Sequence, residues 1–363
     1  MKILFDSRYT RLGRHDGISR YGAHLVEELA KLHPVTMLIE DERQLEMLPD
    51  LPWVKGPSHT SILEPWVARV VNKYEPDVVF TPMQTMGPSG RDYALVTTVH
   101  DLIYYSQRTP PRDFNQFVRL IWRIYHLWWG FQRSLLNKAD AHLVDSETTR
   151  ALLERHRLTK NPVRVVLLGT EHPEAVPTRT APASRDLVYM GSFMPYKNVE
   201  FLARAMAQLP GYRLQLMSRI SDADRARLEA LAPAGSLVFR NGASDAEYSE
   251  ALIGATALVS ASKDEGFGLP VIEAQALGTP VLVSDIPIFR EIGGPDAGYF
   301  DPTDIASFVA AVHELDDPAE WARRSAASVR WARQYNWPDA AKALLEVLTE
   351  TYERRKLRTR ARR

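Results

Sequence analysis

The sequence predicts an α/β protein built from two doubly wound, Rossmann-like domains with parallel sheets. Three observations carry this expectation. Short apolar runs alternate with amphipathic stretches along the whole chain, the rhythm of strand–helix–strand units. A polar segment from Glu171 to Arg185, with Pro173, Pro177 and Pro182, interrupts that rhythm, which restarts at Leu187-Val188-Tyr189-Met190. At 363 residues the chain is too long for one ordinary domain and comfortable for two. The expected division is a first domain over 1–172, a linker over 173–186, a second domain over 187–337 and a basic tail over 354–363. Ligands of such sheets bind beyond the carboxyl ends of the strands, so a cleft between the domains is the expected site.

Taken in order, the first-half strand candidates are Lys2–Phe5, Val35–Ile39, Val78–Thr81, Leu95–Val99, Ala141–Val144 and Val163–Leu167. The loop from Tyr9 to Tyr21 holds Gly13 and Gly17, and an amphipathic helix follows it to about Leu32. Glycine there would let the backbone come close to a ligand. The strand Val96–Val99 ends on His100-Asp101-Leu102, and a histidine can exchange a proton or a hydrogen bond near neutral pH. Phe114 to Leu136 is the most aromatic stretch, with Phe117, Trp122, Tyr125, Trp128, Trp129 and Phe131 among Arg119, Arg123 and Arg133. Its helical spacing fits a helix packed on its own sheet, and the expectation is that most of it packs so. An exposed edge of tryptophans touching lipid is the other reading. Ser146 is placed to cap the helix after Ala141–Val144.

In the second half, strand candidates follow at Leu214–Met217, Leu237–Phe239, Ala257–Ser260 and Val281–Val283. The polar loop Gly191-Ser192-Phe193-Met194-Pro195-Tyr196-Lys197-Asn198 leads into a helix from about Val199. Lys197 is a mobile charge near a helix start, suited to a diphosphate. Ser244 or Asp245 should cap a further helix. Glu265-Gly266-Phe267-Gly268-Leu269-Pro270-Val271-Ile272-Glu273-Ala274 is the stretch on which the function turns. Its glycines fall where a strand gives way to a helix, with Pro270 suited to the first helical position and Gly278 and Pro280 to its end. Backbone N–H groups and the helix dipole there favour an anion. Glu265 and Glu273 flank the same spot, and carboxylates beside a diphosphate make sense as acceptors from hydroxyls. An anion with hydroxyls on both sides is a nucleotide sugar.

The two glutamates, with seven residues between them around Gly-Phe-Gly-Leu-Pro, resemble the signature of retaining GT-B glycosyltransferases of the GT4 type. The resemblance continues through His100-Asp101-Leu102, the loop at Lys197, Ser284–Glu291 and Tyr299-Phe300-Asp301-Pro302, and so covers nearly the whole chain. It implies that Glu265 contacts the donor sugar and Glu273 the ribose. It implies that Lys197 and the N–H groups of Gly266, Phe267, Gly268 and Leu269 hold the diphosphate, with Gly17 lying over it. His100 would face the donor sugar from the first domain, positioning it. The nucleotide base would lie near Asn241–Tyr248. Family members often carry an arginine where this chain has Ser192, so half of the expected phosphate clamp is absent; Arg219 could supply the charge. The segment Tyr335-Asn336-Trp337 with its helix, about 338–353, resembles the element that crosses back to the acceptor-side first domain.

Composition narrows the class. Without cysteine there are no disulfides or thiolate metal sites. No acidic pair stands at a motif position, and the resemblance implies neither metal nor cofactor. The start reads as a strand, not a signal peptide, and no run of about 18 uncharged apolar residues occurs. A soluble cytoplasmic protein is expected, attached or not to the inner face of the plasma membrane. Residues 354–363 hold seven basic side chains and no acid; the other 38 basic residues face 45 acidic ones. That tail suits an anionic membrane or simply a solvated end.

The resulting expectation is a retaining, metal-independent hexosyltransferase. It would move a hexose from a nucleoside diphosphate sugar to a glycan or lipid-linked acceptor hydroxyl in cell-surface polysaccharide or glycolipid synthesis. The Pro195-Tyr196-Lys197-Asn198 variant and the His100 element resemble polysaccharide mannosyltransferases, favouring mannose and a GDP-sugar over a UDP-sugar. A non-catalytic GT-B module binding a partner enzyme or membrane is the alternative. A nicotinamide dehydrogenase fits the sheets but lacks a Gly-x-Gly-x-x-Gly turn after the first strand. Nucleic-acid binding rests on the tail alone and is not expected.

Overall fold

The computed structural model describes residues 1–13, 15–107, 109–110, 116–125, 128–174, 176 and 178–361. Phe114, Pro177, Arg362 and Arg363 lie outside these residues, as do the side chains of Phe117 and Tyr125. The chain divides into two compact units, Met1–Gly169 with Tyr335–Arg363, and Thr170–Gln334.

The first unit is built on seven parallel strands: β1 Ile3–Asp6, β2 Val35–Ile39, β3 Trp53–Lys55, β4 Val78–Thr81, β5 Ala94–Val99, β6 Ala141–Val144 and β7 Val163–Val165. Their order is β3-β2-β1-β4-β5-β6-β7. β1, β4, β5 and β6 are buried at every position, which is why they appear in sequence as unbroken apolar runs. β3 was not expected. It is a three-residue edge strand with Trp53 and Lys55 exposed, too short and too wet to show a period.

Helix α1, Gly17–Leu32, buries Tyr21, Leu25, Val26 and Leu29 on one face. Helix α2, Gln116–Tyr125, behaves otherwise. Val118, Leu120, Ile121 and Ile124 are exposed, as are Trp128 and Phe131 beyond it. The packed reading of this stretch therefore fails for the aliphatic residues of α2. It holds for Trp122, which meets Tyr104 edge-on at 5.1 Å, and for Trp129, which stacks on Tyr105 with ring centroids 3.8 Å apart. Helix α3, Glu147–Arg155, begins at Ser146, whose hydroxyl accepts from the Thr149 amide at 3.1 Å.

The second unit carries six parallel strands: β8 Asp186–Tyr189, β9 Arg213–Leu216, β10 Leu237–Phe239, β11 Ala257–Ser260, β12 Val281–Ser284 and β13 Gly298–Phe300. Their order, β10-β9-β8-β11-β12-β13, is that of the dinucleotide-binding fold. The order in which strands are added reverses between β8 and β11, which run parallel, so the loops after these two strands diverge and open a crevice. Helix α4, Val199–Ala205, follows β8; α5, Asp245–Gly254, follows β10; α6, Leu269–Ala276, follows β11. Ser244 caps α5 in a reciprocal box with Glu247. Phe201, Phe300, Phe308 and Trp321 fill the core. The linker is not free: Arg179 donates to the Leu277 carbonyl at 2.7 Å and lies over the Trp321 ring.

Helix α7, Trp337–Ala361, returns to the first unit and packs on α1. Its length corrects the expected end at about 353: the basic residues up to Arg360 are the last turns of a helix. Trp337 stacks on His24 at 5.1 Å, and a Cβ on Gly169 would stand 2.5 Å from its indole. No helix among the described residues is long and apolar enough to cross a membrane. Because Trp337 is buried at the start of α7, Trp337→Ala should cost about 3–5 kcal/mol. Urea unfolding should show the loss in the transition of the first unit and leave the second unit's transition in place.

Candidate active site

The second unit gathers its polar side chains at the β8/β11 crevice. Lys197 ends a short 3-10 turn, Pro195–Lys197, after β8; Glu265 lies in the loop after β11. The Lys197 ammonium donates to both Glu265 oxygens, at 2.6 and 2.8 Å. Both side chains are largely buried, 16% and 11% exposed. A pair so shielded is coupled more strongly than a surface ion pair. Ser262, fully buried, donates to the same carboxylate at 2.8 Å and lies 3.2 Å from the Ser260 hydroxyl. The Lys263 amide donates to the Tyr196 carbonyl at 2.8 Å, so the two loops are also joined through backbone.

Gly266 and Phe267 lead from Glu265 into α6, with Gly268 as its N-cap. Gly268 has φ +104°, and a Cβ there would stand 2.9 Å from Ile292 Cδ1, so only glycine fits. Leu269 is the first helical residue and Pro270 the second, one later than the sequence suggested. The N-cap itself, a glycine, has no side chain with which to cap this N-terminus. Glu273 is half-buried, between Ile272 and Ala274, which are fully buried. On the other side of the crevice, Tyr189 donates to the Ser192 carbonyl at 2.6 Å. The Gly191 amide donates to Ser218 Oγ at 3.0 Å, which brings the loop after β9 alongside. Arg219 is the next residue; its exposed side chain lies over Gly242.

The first unit places its candidates at the carboxyl end of its own sheet. His100 follows β5. Its Nδ1 is 2.6 Å from Asp145 Oδ2, and Nε2–H donates to the Pro82 carbonyl at 2.7 Å. Burial alone would push the imidazole down. The charge and hydrogen bond of Asp145, with the Pro82 carbonyl, outweigh it, and the pKa rises to about 9. His100 is thus an imidazolium near neutral pH with both nitrogens engaged, a fixed cation and not a proton acceptor. Tyr21 meets it edge-on at 5.1 Å. Gly17 opens α1 on the exposed side, behind Asp16, whose carboxylate accepts from the Ser19 amide at 2.9 Å. The left-handed backbone of this loop falls on Gly13, φ +72°, and not on Gly17.

Sequence reasoning missed three groups here. Ser262 shows no period in a loop. Asp145 was seen only as the neighbour of a cap. Arg8, in the loop after β1, is wholly buried: it donates to Asp6 at 2.8 and 2.9 Å and to Glu64 at 2.7 and 3.0 Å. An arginine beside turn residues reads as solvated, and its partner Glu64 lies too far along the chain to suggest otherwise.

Two Rossmann-like units with parallel sheets are the architecture of the GT-B class of glycosyltransferase. The descriptions "Glycosyltransferase Family 4" and "Glycosyl transferases group 1" match residues 15–172 and 176–326. The chain belongs to this glycosyltransferase family. It is 27% identical over 278 residues to the MMP alpha-(1->4)-mannosyltransferase of Mycolicibacterium hassiacum, covering 72% of this chain and 66% of that one. It is 50% identical over 62 residues to the O-antigen chain mannosyltransferase RfbU of Salmonella typhimurium, covering 17% and 18% respectively. The matches thus span less than two thirds of these relatives' own lengths. The fold is shared with sucrose-phosphate synthase of Thermosynechococcus elongatus at a TM-score of 0.74 and 22% identity, over 97% of this chain and 100% of that one.

The raised pKa of His100 fixes the sign of a pH effect. Its folded value of about 9 lies above the ordinary 6.5, so its stabilisation is full below pH 6.5 and lost as pH rises through 9. The stability difference between wild type and His100→Gln, measured by urea unfolding, should shrink over that window by up to about 3 kcal/mol. A constant difference from pH 6 to pH 10 would show that folding leaves the imidazole's proton affinity unshifted.

Proposed function

We propose that this chain is a retaining hexosyltransferase. It takes its hexose from a nucleoside diphosphate sugar and gives it to a hydroxyl of a glycan or lipid-linked acceptor in cell-surface polysaccharide or glycolipid synthesis. The observation that carries this reading is the Lys197–Glu265 pair beside the glycine-led start of α6. A diphosphate takes the ammonium and the helix N-terminus, and the carboxylate it releases accepts from sugar hydroxyls. Glu273, further along the same helix, accepts from the ribose.

Transfer breaks the bond from the anomeric carbon to the phosphate oxygen and forms the acceptor bond on the same face. The acceptor's proton passes to the leaving phosphate. The accumulating phosphate charge meets Lys197 and the amides of Gly266 to Leu269, cations and dipoles the chain supplies itself, which supports a metal-independent reaction. Two relatives named as mannosyltransferases favour mannose, and with it a GDP-sugar over a UDP-sugar. The exposed aliphatic residues of α2, with Arg119 and Arg123 its only charged residues, favour work at the cytoplasmic face of an anionic membrane.

Glu265→Ala should lower transfer by at least about 100-fold. Nucleotide affinity should hold or rise, because Lys197 is then released. Lys197→Ala should weaken nucleoside diphosphate binding roughly tenfold or more. Thermal shift with GDP, UDP, ADP and their sugars identifies the donor, and calorimetry on the variants tests the roles. Undiminished turnover of Glu265→Ala, or unchanged affinity of Lys197→Ala, refutes the assignment. Nucleotide binding without any transfer by wild type would favour a non-catalytic binding module.

A further inference from the structure

The last turns of α7 are not a loose basic tail. They dock at the opposite end of the first sheet from His100, where Asp140 leads into β6. Asp140 is already spoken for: its Oδ2 accepts from Arg91 at 2.5 Å and from the Leu95 amide at 2.9 Å. Arg355 approaches the same oxygen only to 3.7 Å and donates to the Arg91 carbonyl at 3.3 Å. Arg354 donates to the Asp140 carbonyl at 3.4 Å. Arg358 stands one turn beyond Arg355 on the same face, exposed. A pocket of about 190 Å³ opens between Asp140, Arg355, Arg358 and Thr359, room for roughly six waters at about 30 Å³ each.

Arg91, Arg354, Arg355 and Arg358 gather around Asp140, and the other carboxylate acting on Arg355 is Asp92. Burial first, then the positive charge of Arg91, pushes the Arg355 guanidinium down from its ordinary value. A half-buried cation disfavoured in this way gains most from an added anion. Two guanidinium forks one helical turn apart match the spread oxygens of a phosphate better than a single carboxylate.

We propose that Arg355 and Arg358 form a second phosphate-binding site, on the first unit and separate from the donor crevice of the second. Its ligand is a phosphate group, supplied by an anionic lipid headgroup or by free phosphate. The site uses none of the residues assigned to sugar transfer, so it stands or falls apart from that assignment.

The test compares the full-length protein with Arg355→Gln/Arg358→Gln. Inorganic phosphate is titrated by calorimetry, and sedimentation is measured with phosphatidylglycerol and phosphatidylcholine vesicles. Phosphate affinity should fall about tenfold or more in the double variant, with single Arg358→Gln intermediate. If the source is a headgroup, phosphatidylglycerol retention falls with it and free phosphate competes. If the source is free phosphate, the phosphate isotherm changes and vesicle retention does not. Since Arg358 is exposed, its variant should keep the wild-type melting temperature and report on the site alone. Identical isotherms and identical phosphatidylglycerol retention for wild type and the double variant would overturn the site.

Discussion

The grip of the Glu265 carboxylate on the Lys197 ammonium is the constraint around which the second unit is arranged. It joins loops from β8 and β11, the parallel strands between which the strand order reverses. Without such a tie, two loops leaving a sheet in opposite senses would present their polar groups separately. Ser262 fixes which way the carboxylate turns, and the backbone bond from Lys263 to Tyr196 fixes the spacing. Gly268 then allows α6 to start close against Phe289 and Ile292, which sets the direction of its dipole. Packing, backbone conformation and charge converge on one spot.

The first unit solves a similar problem with a different cation. His100 joins the ends of β4, β5 and β6 through Pro82 and Asp145, and Tyr21 sets it against α1. Beside β1, Arg8 holds Asp6 and Glu64 without any water-facing surface. Taking a guanidinium wholly out of water is costly, and two carboxylates offset that cost. The carboxyl end of the sheet is stiffened by buried charge in the loops that follow its central strands.

What the sequence showed and what it hid follow from the range of the interactions. The strands buried on both faces stood out as apolar runs, and the start of α6 was legible from glycine and proline a few residues apart. Lys197 and Glu265 were each visible, but not their pairing, because it joins residues 68 apart. The position of His100 was readable and its protonation was not: Pro82 and Asp145 decide it from 18 and 45 residues away. In α2 the helical period was plain, yet periodicity says only that one face is apolar. Whether that face meets a core depends on what lies opposite, which the chain does not encode locally. The same holds for residues 354–361: a run of arginines looks like a solvated tail until Arg91 and Asp140 are brought beneath it.

On the proposed reading, the Lys197–Glu265 pair also governs selectivity. In the unliganded crevice each charge satisfies the other, so a ligand that engages only one leaves its partner half-buried and short of a bond. Inorganic phosphate would take the ammonium and leave Glu265 with Ser262 alone; a neutral sugar would find the carboxylate occupied. Leaving a charged group unmatched costs far more than a missing apolar contact, so such sites reject incomplete ligands strongly. A nucleotide sugar carries phosphate and hydroxyls in one molecule and replaces both halves of the pair at once. The salt bridge is therefore less a prop for the fold than a lock that favours a ligand carrying both chemistries over one that carries phosphate alone.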